Sequence, residues 1–144
     1  MTDPLDIYQD WLDRATAALW AGDWDGLAAT MTLPAEMGAY DDVVVADTPA
    51  DVRRYGERYL VALREAGATA YLRLARVAHL SDDGRAIDGV HEVHVLSGGA
   101  RAVPSFTSEV ALELGEDGAW RGTSIVSQAR MTENRINVGK SDDR

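Results

Sequence analysis

Apolar residues first recur at helical spacing: Leu5, Tyr8, Leu12, Ala15 and Leu19 form one stripe flanked by Trp11 and Ala18, with Asp6, Gln9, Asp10 and Asp13 opposite. Asp3 fits an N-cap, Pro4 the first helical position and Asp6 the first turn, and Gly22 ends the segment. Trp20 lies off the stripe, toward Asp13 and Thr16. A short second helix is predicted from Asp23–Asp25 to about Met31, with Pro34 as its stop. Residues 36–40 and 43–46 then read as two short strands joined at Asp41-Asp42, a hairpin. Thr48-Pro49 opens a third helix, in which Val52, Tyr55, Gly56, Tyr59, Leu60 and Leu63 form a clean stripe and Gly67 is the stop.

Everything after Gly67 reads as strand and turn. Residues 69–80, 86–97, 105–114 and 119–130 are β-compatible, separated by Ser81-Asp82-Asp83-Gly84, Gly98-Gly99 and Glu116-Asp117-Gly118. Four strands on short turns make an antiparallel meander. A sheet with one apolar face must bury it, and three amphipathic helices supply the cover. The expected class is therefore α+β, with residues 1–131 as one domain and 132–144 as a polar tail without clear period.

Composition narrows the function classes. The 144 residues are one domain's worth, with 46% hydrophobic and 26% charged residues, as in a folded soluble protein. Lys plus Arg number 14 against 24 Asp plus Glu, a formal charge of -10, which disfavours nucleic acid and anionic membranes as partners. No cysteine is present, so disulfides, thiolate metal sites and cysteine nucleophiles are excluded. The acidic start MTDPLDIYQDW carries no signal-peptide pattern and no apolar run approaches a bilayer's thickness, so a cytoplasmic location is expected. The sequence holds no G-x-G-x-x-G, no G-K-[ST] and no G-x-S-x-G, and neither cofactor nor metal is expected.

Two local motifs carry a resemblance. Ala21-Gly22-Asp23-Trp24-Asp25-Gly26-Leu27 resembles the corner between the first two helices of the nuclear-transport-factor-2-like superfamily, and Asp117-Gly118-Ala119-Trp120-Arg121 is similar to that superfamily's D-G-x-W-[RK] entry into the last strand. The order of elements agrees over roughly residues 5–130. The resemblance implies a cone: a curved, mostly antiparallel sheet wrapped around three helices, a cystatin-like α+β roll whose wide end keeps a pocket. It further implies a small-molecule-binding domain similar to polyketide-cyclase-like (SnoaL-like) proteins, with a small apolar, carbonyl-bearing or anionic ligand. The alternatives are a cofactor-free lyase or isomerase acting on a small carbonyl compound and a non-catalytic dimerisation module. Members often pair through the outer sheet face, which makes a homodimer the expected partner state; Tyr71, Val77, Val90 and Leu96 are the outward apolar candidates here.

Ketosteroid-isomerase-like chemistry is not carried over residue by residue. Anchored on Gly22–Gly26, that enzyme's tyrosine donor falls near Ala15 and its aspartate base near Ala39, while Asp41 and Asp42 sit at a turn. Among the histidines, His91 shares a strand face with Ile87, Gly89, Val93 and Val95 and points inward, whereas His79 and His94 are surface residues. His91 is either a core histidine satisfied by one buried partner or a pocket acid or base. Arg76 shares a face with Ala70, Leu72, Leu74, Ala78 and Leu80; inward, it needs a carboxylate from Glu36 or a ligand, and at the rim it reaches water. Tyr55 and Tyr59 belong to the core at helical spacing, with hydroxyls able to reach a cavity. Tyr40 and Ser108 complete the candidate ligand-binding set.

Overall fold

A computed structural model of the chain describes residues 2–128, so the expected tail at 132–144 lies outside the described residues. The element order is α1 (Pro4–Ala21), α2 (Trp24–Ala29), β1 (Met31–Ala39), β2 (Asp42–Ala46), α3 (Pro49–Glu65), β3 (Ala70–Leu80), β4 (Ala86–Ser97), β5 (Ala100–Arg101), β6 (Phe106–Leu114) and β7 (Trp120–Ser127). The helix ends follow from their caps. Asp3 accepts from the Leu5 N–H at 2.8 Å, and Gly22 closes α1 in the left-handed region at φ 70°. Thr48 and Asp51 form a reciprocal capping box at the start of α3. No helix among the described residues is long and apolar enough to cross a membrane.

The sheet runs β2-β1-β7-β6-β4-β3, with the two-residue β5 on β4. All its pairs are antiparallel except β1–β7, a parallel pairing that joins the early hairpin to the end of the meander. Register shifts in β1, β3 and β6–β7 accompany the curvature that carries the sheet round the helices. The core lies between them: Tyr8, Trp11, Leu12 and Ala15 of α1 meet Ile87, Val93, Val95, Val110 and Leu112 of the sheet. Two glycines permit close approach. A Cβ at Gly89 would overlap the Tyr8 ring, and one at Gly122 would lie 2.7 Å from Trp11.

Three expectations change. The second helix ends at Ala29 rather than about Met31, and Pro34 lies inside β1. It falls between the paired positions Met31 and Glu36, where the ladder to β7 is interrupted and a missing N–H costs nothing. The inward face of β3 also differs. Tyr71 and Arg73 are buried while Leu72, Leu74 and Val77 are exposed, and Ala75, Ala78 and Leu80 pack against the core. A bulge between Ala75 and Val77 inserts one residue and exchanges the faces. Consequently Tyr71, expected outside, is inside; Val77 faces out as expected, and Val90 and Leu96 are half-buried.

Candidate functional site

Between α1, α3 and the concave face lies a cavity of about 70 Å3. Its apolar walls come from Trp11, Ala15 and Leu19 of α1, Leu27 of α2, Met31 and Met37 of β1, Phe106 of β6 and Ile125 of β7. Gly56 leaves α3 close to the helical corner, where a Cβ would lie 2.6 Å from the Trp24 ring. Tyr55 and Tyr59 stack with ring centroids 6.4 Å apart, and the Tyr59 hydroxyl meets that of Tyr71 at 3.0 Å. Burial raises the phenol pKa values of Tyr55 and Tyr59, so both stay protonated.

The polar wall is the sheet. His91, Ser108 and Ser127 are buried and line the cavity from β4, β6 and β7; the register pairs His91 with Ser108 and Ser108 with Ser127, a single row across three strands. Arg73 lies one step diagonally from His91, because Ala75 is His91's direct partner and Val93 is that of Arg73. Arg73 is only 7% exposed. Its Nε donates to Thr16 Oγ1 at 2.8 Å, its guanidinium carbon stands 5.5 Å from the Tyr71 ring centroid, and Gln9 donates to its carbonyl at 2.9 Å. Among the described residues no carboxylate forms an ion pair with it and no Asp or Glu lines the cavity.

His91 has zero exposure, with Nδ1 2.5 Å from the Tyr8 hydroxyl and Nε2 buried without a hydrogen-bond partner among the described residues. Burial, aided by the nearby Arg73 charge, pushes its pKa down to about 3, so the ring is neutral. The Tyr8 phenol is fully buried and held protonated by that burial. His91 Nδ1 is its one acceptor among the described residues. Donation from Tyr8 to Nδ1 pairs both groups, and it leaves the one N–H proton of the neutral imidazole on Nε2. Tyr8 does not line the cavity whereas His91 does. One nitrogen of His91 thus has a buried partner, and the ring forms part of the cavity wall.

The other expected site residues divide. Tyr55, Tyr59 and Ser108 line the cavity with His91. Glu36 is exposed on the opposite face of β1 from Ala35 and Met37, and Tyr40 is 49% exposed past the end of that strand. Arg76 sits in the β3 bulge with its side chain 53% exposed and bonds Glu92 at 2.8 Å; it does not line this cavity, and its carboxylate partner is Glu92 rather than Glu36. Glu92 also accepts from half-buried His94, and Arg76 and His94 together hold its carboxyl down at about 2. Arg73, Tyr71, Trp11 and Ser127 are among the cavity residues that sequence reasoning missed; the signal for Arg73 was the other parity of its own strand.

A curved sheet closing over helical stripes around an internal cavity defines an α+β roll. Compared by sequence, the chain matches no family model and no curated protein. Compared by structure, it has the nuclear-transport-factor-2-like, cystatin-like fold. It is similar to an NTF2-like protein with a cystatin-like fold from Novosphingobium aromaticivorans, at 12% identity over 92% of this chain and 88% of that one, with TM-score 0.64. It is also similar to ActVI-ORFA from Streptomyces coelicolor (19% identity, 85% and 94% covered, TM-score 0.63). Aln2 from another Streptomyces strain resembles it to the same degree (20% identity, 89% and 93% covered, TM-score 0.62).

Proposed function

We propose that the chain is a small-molecule-binding domain whose internal cavity takes a mainly apolar ligand bearing a carbonyl or other acceptor oxygen. The observation that carries this reading is His91 Nε2, a buried N–H on the cavity wall with no protein partner among the described residues. Such an orphan costs roughly 1–3 kcal/mol, a cost that an acceptor on a ligand removes. The aromatic lining favours a flat ring system, and the fold's neighbours are compatible with a ligand-binding domain. The runner-up, a cofactor-free lyase or isomerase on a carbonyl compound, draws on the same N–H and on Arg73 as polarising groups. A proton-abstracting role for His91 is disfavoured, because an imidazole with pKa about 3 is a weak base at neutral pH. A cone kept only for dimerisation needs no such cavity.

The test is thermal denaturation with 2-acetonaphthone and related aryl ketones. A ligand bound by the native state alone raises the melting temperature. The expected result is a dose-dependent rise that His91→Phe abolishes. A rise of equal size in His91→Phe would remove His91 from the site, and no rise with any ketone would count against the binding reading.

A further inference from the structure

We infer that the cavity takes its ligand as an anion, an aromatic carboxylate whose two oxygens are shared between the Arg73 guanidinium and His91 Nε2–H. This rests on the small-molecule reading above and specifies its substrate class. The first observation is the sign of the cavity's polar groups. His91 offers a donor, Arg73 offers donors that cannot be lost, and no acidic side chain lines the space among the described residues. The second is the state of Arg73. Arg73, only 7% exposed as a whole residue, is held by a threonine hydroxyl and a tyrosine face and paired with no carboxylate among the described residues, so its largely buried charge has no counter-charge there. Burying such a charge unpaired is costly, and a carboxylate matches the planar fork with two parallel bonds.

The third observation is placement. Arg73 and His91 are diagonal neighbours on one concave face, at register positions where long side chains reach a common point. Gln9 and Thr16, both from α1, fix Arg73 at its carbonyl and its Nε. Tyr8, from the same helix, fixes the imidazole. One helix therefore holds both residues, and both line the space between it and the sheet. The stacked Tyr55 and Tyr59 and the Trp11 ring give an aromatic body its surfaces. The net charge of -10 opposes an anion at long range, but beyond about 8 Å this is screened at physiological salt.

The experiment is isothermal titration of the full chain with three probes of one shape: sodium 2-naphthoate, 2-naphthamide and 2-acetonaphthone. The carboxylate is expected to bind about tenfold or more tighter than either neutral probe, and Arg73→Met to remove that preference while changing ketone affinity by less than about threefold. Equal binding of carboxylate and amide by the unaltered chain overturns the inference, and this comparison stands even where Arg73→Met does not fold. Equal loss of all three probes in folded Arg73→Met also overturns it, since Arg73 then only shapes the cavity. Binding of ketone without carboxylate sinks the anion assignment and leaves the small-molecule reading intact. Binding of none of the three sinks both.

Discussion

Tyr8 and His91 act as one unit, because the Tyr8 hydroxyl at 2.5 Å from Nδ1 decides which imidazole nitrogen faces the cavity with a proton. Tyr8→Phe removes the donor and leaves Nδ1 buried and unpaired, so unfolding in denaturant should show a loss of about 1–3 kcal/mol. Ketone affinity should fall in the same variant, because the proton is then free to move to Nδ1; unchanged affinity would refute the tautomer argument. Protonation gives a second check. His91 titrates near 6.5 when unfolded and at about 3 when folded, so between those values the unfolded chain holds the extra proton. The associated stability is complete above pH 6.5 and declines as pH falls toward 3, by up to ~1.4 kcal/mol per pH unit. Over about pH 5–6.5, where most carboxylates are already ionised, wild type should lose stability on acidification with a slope steeper than that of His91→Phe by about half a proton at pH 6.5, rising to nearly one at pH 5; equal slopes would show the imidazole is not held neutral. Strict alternation from Ile87 to Val95 made the inward face of His91 legible in the sequence. Its partner was not, because the Tyr8–His91 contact exists only once α1 is laid on β4. The one local trace of it is Gly89, two residues before His91, whose missing side chain admits the Tyr8 ring.

Helix ends are written locally and are legible with little error. Asp3, Gly22 and the Thr48–Asp51 pair each satisfy terminal backbone groups through near neighbours. Thr48→Ala should accordingly cost about 1 kcal/mol of stability in denaturant unfolding, and a change close to zero would mean the capping box is not formed in solution. Strand faces obey a less local rule. Alternation in β3 is regular on either side of Ala75–Val77, and counting back from Ala78 and Leu80 puts the earlier residues on the wrong face. A bulge is set by pairing with β4 and by curvature, which apolar periodicity does not record. The cavity's arginine is therefore Arg73 rather than Arg76, and the two arginines make opposite predictions. Arg76, paired with Glu92 in solvent, should tolerate Arg76→Ala with less than about 1 kcal/mol lost and ligand binding unchanged. Ligand binding that fell with Arg76→Ala would restore Arg76 to the site.

At the scale of the molecule, the bulge also decides what the outer face presents. Of the residues expected at a homodimer contact, Tyr71 lies inside, Val77 is 59% exposed and Val90 and Leu96 are half-buried, while Leu72 and Leu74 are exposed at 44% and 41% on the same strand as Val77. Leu72, Leu74 and Val77 lie on β3, the last strand of the sheet order. Extension of the sheet by a second copy along that strand is opposed locally, because Gln9 already takes the Arg73 carbonyl and the Ala75 N–H with its side-chain amide. Pairing of copies would then run through the apolar face rather than through the strand edge, and against the repulsion of a net charge of -10 on each chain. Repulsion of that kind weakens as salt rises while apolar burial does not, so the proposed dimer should tighten from low to physiological salt in light scattering. The double variant Leu74→Glu with Val77→Glu should be monomeric under the same conditions and bind aryl ketones like wild type, since neither side chain enters the cavity. A wild-type monomer at micromolar concentration and physiological salt would remove this pairing, and it would leave the cavity, which a single chain builds, as the fold's one candidate site among the described residues.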